Sequence, residues 1–93
     1  MIKEKWHKMT LFQQMGNIGS EVFKMIGLNN SQESFLRVLE LIDLTIEDKR
    51  RKEKLFEILR LREVICNFYL NKGVYDVSKE SLKKYFIPFA LKT

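Results

Sequence analysis

The chain has 93 residues, of which 45% are hydrophobic and 31% charged, and a net charge of +5. This composition is typical of one folded domain over residues 1–93 and excludes a disordered chain, while the single cysteine, Cys66, excludes an internal disulfide. No run reaches the roughly 18 apolar residues of a membrane span, and the charged residues 1–10 do not resemble a secretory signal, so a cytoplasmic location and no membrane contact are expected.

Residues 1–10 place Trp6 and the only histidine, His7, among lysines. Trp6 is predicted to cover the open end of a helical bundle, with its indole N–H donating to water or a carbonyl. The alternative is an exposed Trp6 that anchors a partner protein. His7 has no second histidine or cysteine with which to share a metal, so a surface or capping role is expected.

Residues 10–27 predict the helix around which the other elements are organised. Its apolar side chains recur at helical spacing and form one wide face: Leu11, Phe12, Met15, Ile18, Val22, Phe23, Met25 and Ile26. Thr10 is the predicted N-cap and Gly27 the C-terminal stop. Gly16 and Gly19 lie within the apolar face, where each costs roughly 1 kcal/mol against alanine. We therefore expect them to let another helix or a large aromatic side chain approach closely.

This helix also contains a run of residues that resembles a known protein family. The run Gly16-Asn17-Ile18-Gly19-Ser20-Glu21-Val22, followed by residues 41–45 and 61–64, is similar to a family of small prokaryotic helical proteins without an assigned activity. The resemblance covers most of the chain and implies a compact helical fold, but no activity, ligand or cofactor. It also implies that Asn17, Glu21, Asp43, Arg62 and Glu63 belong to one polar arrangement.

The second predicted helix covers residues 31–46, after a turn in which Asn30 and Glu33 resemble a reciprocal cap. Asp43 lies beside the apolar stripe of this helix, and a half-buried carboxylate needs a donor. The third helix, over residues 51–70, has a buried side made of Leu55, Ile58, Leu59, Ile65, Phe68 and Tyr69. Arg62 interrupts that side and is expected to pair with Asp43 or with Glu21. Glu21, Asp43 and Arg62 thus form the predicted structural polar network.

The strongest charge run is Lys-Arg-Arg-Lys-Glu-Lys at residues 49–54, which follows Asp48 as a natural N-cap. Its simplest interpretation is a solvated loop and first helical turn. The alternative is a phosphate-contacting patch made of Lys49, Arg50, Arg51, Lys52 and Lys54. Cations near a helix N-terminus oppose the helix dipole, which slightly favours the patch. No aromatic side chain alternates with them, so base stacking is not predicted.

The last predicted helix starts after Ser78 and has an apolar side formed by Leu82, Tyr85, Phe86 and Phe89. Pro88 removes a backbone donor and disfavours helix at Ile87, so the helix is expected to end or kink there. The apolar tail that contains Phe89 and Leu91 is expected to fold back over the bundle. The alternative is that this tail contributes to a dimer surface.

Four amphipathic segments joined by short turns predict an all-α, antiparallel four-helix bundle-like domain with the first and third helices at its centre. The sequence contains no catalytic triad, no Cys/His cluster and no phosphate loop, so no enzyme activity, cofactor or metal is predicted. The leading hypothesis is a non-enzymatic protein–protein interaction module, acting as a homodimer or a small complex subunit. Its predicted partner-binding residues are Trp6, Phe89 and Leu91.

Two other functional classes stay open. The first is a nucleic-acid-binding protein that uses the 49–54 run together with the basic face of the last helix, which carries Lys79, Lys83 and Lys84. It requires both basic groups to lie on one surface. The second is a small enzyme with Glu21, Asp43, Arg62 and Glu63 around a pocket, although such groups on facing helices are more often structural.

Overall fold

The computed structural model describes the backbone of residues 2–28, 31–70 and 79–92, and the side chains of residues 3–28, 31–70 and 79–88. These residues form α1 (Ile2–Trp6), α2 (Leu11–Gly27), α3 (Gln32–Glu47), a 3-10 segment (Lys49–Lys54), α4 (Leu55–Leu70) and α5 (Lys79–Lys92). No strand occurs among the described residues. The predicted all-α, antiparallel four-helix bundle-like domain is confirmed, and its bundle consists of α2, α3, α4 and α5.

The ends of α2 and α3 follow from local hydrogen bonds. Thr10 is the N-cap of α2, as predicted: its hydroxyl accepts from the Gln13 backbone N–H at 3.1 Å, and the Gln13 side chain accepts from the Thr10 N–H at 2.9 Å. Ser31 caps α3 and accepts from the Ser34 N–H at 3.3 Å. The reciprocal cap predicted at Asn30 lies outside the described residues.

The helix α2 is the centre of the bundle. It packs closely against both α3 and α5, whereas α4 packs mainly against α3. The prediction of a central third helix is therefore wrong for α4, of which only Ile58, Leu61 and Ile65 are buried. Its apolar residues spread around the helix instead of forming one face, so no single neighbour can cover them all.

The crossing of α2 and α5 depends on Gly19. A Cβ atom at this position would lie 2.8 to 2.9 Å from three side-chain atoms of Phe86, which is closer than carbon atoms approach without displacement. Phe86 is itself buried in the core. The predicted close approach of a large aromatic side chain is therefore confirmed at Gly19. Gly16 is partly buried one turn earlier in the same helix.

The last helix does not end before Pro88. Instead, α5 continues through this residue to Lys92, so the predicted helix end near Ile87 is wrong. A proline inside a helix leaves the carbonyl four residues earlier without its helical donor. Here that carbonyl belongs to Lys84, and because Lys84 and Pro88 are both exposed, water can hydrogen-bond to it.

The core is continuous across the bundle. It includes Ile18, Val22 and Met25 of α2, Val38 and Ile42 of α3, Ile65 of α4, and Leu82 and Phe86 of α5. The ring of Phe35 in α3 stacks on Tyr69 of α4 with 3.8 Å between the ring centroids. This stack fastens the C-terminal part of α4 to the N-terminal part of α3.

Candidate functional site

A buried polar cluster joins the N-terminal segment to the junction between α3 and the 3-10 segment. Gln14 has no exposed surface, and its amide nitrogen donates to the Trp6 carbonyl at 2.9 Å and to Asp48 Oδ2 at 3.0 Å. Its amide oxygen accepts from Arg51 Nε at 2.8 Å. Sequence periodicity places Gln14 on the polar, solvent-facing side of its helix. The periodicity therefore does not predict that Gln14 is buried and hydrogen-bonded. A buried amide needs such partners to offset its desolvation.

Two of the predicted phosphate-contacting residues belong to this cluster. Arg50 donates from Nε and Nη2 to the Asp48 carboxylate at 2.7 to 3.3 Å, and from Nη2 to the Met9 carbonyl at 2.7 Å. Arg51 also donates to the Met9 carbonyl, at 3.1 Å. The Arg50 guanidinium, together with the Gln14 amide, holds the pKa of the Asp48 carboxyl well below its usual range. Arg50 and Arg51 are therefore structural donors, and of the five residues in the predicted patch Lys49, Lys52 and Lys54 lie outside this cluster.

The three remaining cations of the 49–54 run are lysines at the surface. Lys49, Lys52 and Lys54 are exposed, and Lys54 Nζ lies 3.8 Å from the Glu57 carboxylate. Asp48 is the N-cap of the 3-10 segment, as predicted, and accepts from the Arg50 backbone N–H at 3.0 Å.

Trp6 is a core residue and not an exposed anchor. Its side chain is 3% exposed, and its indole N–H donates to the Thr45 hydroxyl at 2.9 Å. The predicted role as a partner-binding residue is therefore corrected, and the interpretation as a cover over the bundle is the right one. His7 Nε2 lies 3.0 Å from the Leu44 carbonyl, which gives the histidine the expected capping role. The predicted partner-binding residues Phe89 and Leu91 belong to α5. The structure describes their backbone but not their side chains.

The predicted polar network is confirmed for one of its two pairs. Arg62 Nε donates to Asp43 Oδ1 at 2.9 Å, and this ion pair raises the pKa of the arginine. Both side chains are more than a third exposed, so the pair lies at the surface and not in the half-buried position expected. Glu21 instead lies 3.5 Å from Lys24 within its own helix, which corrects its predicted place beside Arg62.

An apolar depression lies between α4 and α5, which are not among the closely packed helix pairs. We call it the α4–α5 cleft; it has a volume of about 280 Å³ and is lined by Glu57, Arg60, Leu61, Val64, Ser81, Leu82 and Tyr85. A second depression of about 200 Å³ shares Glu57, Leu61 and Tyr85 and extends the cleft to Lys54 and to Leu11 and Met15 of α2. Burial raises the pKa of the Tyr85 phenol, with a further contribution from the Glu57 carboxylate.

Phe56 also lies on α4, but it is not among the residues that line this cleft. Its side chain is 88% exposed, and it lies one helical turn before the cleft residue Arg60. Leu59 of the same helix is 42% exposed, although it was predicted to be buried. Phe56 falls outside the buried stripe of the third predicted helix, and a large aromatic side chain off that stripe is the signal that could have identified it.

The described residues contain no group of three or more His, Cys, Asp or Glu side chains placed to hold a metal ion. In the same part of the chain, no helix combines the length and the apolar character needed to cross a membrane. Among the residues of the hypothetical enzyme site, Asp43 forms an ion pair with Arg62, and Glu21 forms one with Lys24.

Comparison of the chain with known protein families, with curated proteins and with solved structures gives no match. The resemblance carried by residues 16–22 therefore stays an expectation.

Proposed function

We propose that this chain is a non-enzymatic protein–protein interaction module of the cytoplasm that works as a homodimer or as a small subunit of a complex. The observation that carries the proposal is Phe56, a large aromatic side chain that is almost fully exposed on α4, the helix that forms one wall of an apolar cleft. Burying a Phe side chain contributes roughly 1.5–3 kcal/mol, and aromatic side chains beside pockets dominate the energy of many interfaces. Contiguous apolar surface of this kind is typical of docking sites.

The exposed apolar side chains of α4 support a contact surface at a different position from Trp6. The sequence hypothesis placed the anchor at Trp6, which is buried, whereas the exposed apolar side chains of α4 are Phe56, Leu59 and Leu70. These three residues follow helical spacing, so they share one side of α4. A partner that contacts this side of α4 and also enters the α4–α5 cleft would cover both apolar surfaces.

Nucleic-acid binding is the second candidate, and one observation favours it. Lys54 of the basic run and Tyr85 of α5 line the same depression, so the run and the last helix border a common surface. Three lysines of the run and Lys79, Lys83 and Lys84 of α5 are exposed. The loss of Arg50 and Arg51 to the Asp48 cluster reduces the number of available phosphate contacts, which is why this candidate is second.

The experiment compares the wild-type chain with Phe56→Ser and with Leu36→Ser, a matched control at an exposed position of α3 outside the cleft. Sedimentation velocity measures self-association, and affinity capture followed by mass spectrometry identifies retained proteins. We expect either a dimer or a retained partner whose affinity falls about thirtyfold on Phe56→Ser, since truncating an interface aromatic costs about 2 kcal/mol or more. A monomer that retains the same proteins in all three forms would contradict the proposal.

A further inference from the structure

The α4–α5 cleft has the form of a groove between two helices. Its floor contains Leu61, Val64 and Leu82, and its extension adds Leu11 and Met15. From Lys54 at the end of the 3-10 segment to Val64 of α4 the lining covers roughly 15 Å at helical rise, which corresponds to nearly three turns of a second helix laid alongside. Grooves with an apolar floor receive the apolar face of an amphipathic helix, whose anchors recur at three- and four-residue spacing.

The borders of the cleft carry more positive than negative charge. On one wall, Lys54 of the 3-10 segment and Arg60 of α4 flank Glu57, and Lys54 lies 3.8 Å from that carboxylate. On α5, the exposed Lys84 lies three residues, or about one helical turn, after the cleft residue Ser81. Carboxylates on a bound segment would therefore meet cations from both walls.

The positive excess is also present in the C-terminal half of the sequence as a whole. Residues 49–93 contain twelve Lys and Arg but five Asp and Glu. Three of the twelve, Arg50, Arg51 and Arg62, are paired with Asp48 or Asp43, which leaves nine cations against five carboxylates. This excess attracts an acidic partner from a distance and disfavours a basic one.

We infer that the α4–α5 cleft binds an acidic amphipathic helix of a partner protein, with its apolar face on the cleft floor and its carboxylates toward Lys54, Arg60 and Lys84. The inference rests on the proposed interaction function and assigns the chemistry of the partner. A nucleic acid would match the charge of the borders but would leave the apolar floor and Phe56 uncovered. A second copy of this chain is a poorer match, because its net charge of +5 opposes association of the basic surfaces.

The test uses the full chain and three labelled synthetic peptides. The first is a helical peptide with leucines at helical spacing and glutamates on both flanks, the second has lysines in place of the glutamates, and the third carries a central proline in the acidic sequence. Fluorescence anisotropy should show that the acidic helix binds at least about tenfold more tightly than either of the others, because charge complementarity and helical form both contribute. Equal binding of the acidic and basic peptides would overturn the inference.

A matched pair of charge reversals locates the site. Lys54→Glu and Lys49→Glu change the net charge equally within the same 3-10 segment, but only Lys54 lines the cleft. We expect Lys54→Glu to weaken binding of the acidic peptide about tenfold and Lys49→Glu by about twofold or less, since close charges count for more than distant ones. Both lysines are exposed, so circular dichroism should show the same helix content in both variants.

The remaining outcomes separate this inference from the proposed function. If the acidic peptide does not bind while the Phe56→Ser variant still loses a dimer or partner, the interaction function stands and the acidic helix is wrong. If duplex DNA binds more tightly than the peptide, and Lys49→Glu weakens it as much as Lys54→Glu does, the surface is a nucleic-acid site instead. In that case DNA affinity should fall by orders of magnitude between about 50 and 200 mM salt.

Discussion

Asp48 is the residue on which the buried polar cluster depends. Its carboxylate accepts from Gln14, from the Arg50 side chain and from the Arg50 backbone. Such a cluster is stabilising only while every member keeps its partner, because an uncompensated charge or amide in a buried site costs several kcal/mol. One proton added to this carboxylate removes the charge that holds the two arginines in place.

We predict that Asp48→Asn lowers the free energy of unfolding at pH 7 by about 1–3 kcal/mol, the usual cost of leaving buried partners of a charged group unsatisfied. The matched control is Asp43→Asn, which breaks the exposed pair with Arg62 and should cost under about 1 kcal/mol. Urea unfolding monitored by circular dichroism measures both. Equal losses in the two variants would show that the cluster contributes no more than a surface pair.

The same carboxylate predicts a pH dependence. Because its pKa is lower in the folded chain than in the unfolded chain, the unfolded state binds the proton first. The stabilisation is complete above the unfolded value near 3.9 and is lost as pH falls toward the folded value. The stability difference between the wild type and Asp48→Asn should therefore shrink below about pH 4. Comparison with the variant is needed because the Lys3 ammonium also lowers the pKa of Glu47, so this carboxylate contributes a pH dependence of the same sign.

At the scale of the helices, the N-terminal segment is held by contacts to three different elements. Trp6 donates to Thr45 of α3, Gln14 of α2 donates to the Trp6 carbonyl, and both arginines of the 3-10 segment donate to the Met9 carbonyl. The two arginines of the basic run therefore hold the N-terminal segment in place. This explains why cations are found here at the beginning of a helical segment, where the helix dipole alone would disfavour them.

The crossing of α2 and α5 can be tested at Gly19. Alanine is the better helix former by roughly 1 kcal/mol, but its methyl group would collide with Phe86. We expect Gly19→Ala to lower the free energy of unfolding by about 1–3 kcal/mol, since overpacking of a core outweighs the gain in propensity. The control is Gly27→Ala, where a Cβ has no atom within 4 Å. This control should be neutral or slightly stabilising, and a stabilised Gly19→Ala would show that α5 can move away at little cost.

Particular residues show which structural features of this molecule can be predicted from sequence periodicity. The bounds of α2 and α3, the caps at Thr10 and Asp48, and the pair of Asp43 with Arg62 are all local or depend on the phase of neighbouring helices, so they were predictable. Gln14, Trp6 and Arg50 were not, because their partners lie 34 to 41 residues away or on another element. Polarity alone does not distinguish a solvated glutamine from one that has found three buried partners.

The candidate site was less predictable than the fold. A pattern that repeats at helical spacing identifies which residues a helix can bury, and α4 offers apolar residues in nearly every direction. Which of them stay exposed depends on the position of α5, which packs on α2 and leaves α4 only partly covered. Phe56, Leu59 and the cleft therefore depend on tertiary arrangement and could not be derived from α4 alone.

At the scale of the whole molecule, this arrangement predicts uneven protection from solvent. Ile18 and Val22 of α2 are fully buried between two helices, whereas α4 buries few side chains and has one principal neighbour. In native-state hydrogen exchange, amides at Ile18 and Val22 should exchange only on global unfolding, and those from Arg60 to Val64 through openings of lower free energy. Identical opening free energies across α2 and α4 would contradict this.

The contact between Gly19 and Phe86 joins the first long helix to the last. During synthesis, α2 and α3 leave the ribosome well before α5, so the α2 surface that receives Phe86 is uncovered in every nascent chain that lacks the last helix. A contact between residues this far apart in the sequence also slows folding. We therefore expect nascent chains whose translation is arrested before α5 to bind strongly to nascent-chain chaperones. Chains arrested with α5 outside the exit tunnel should be released from these chaperones.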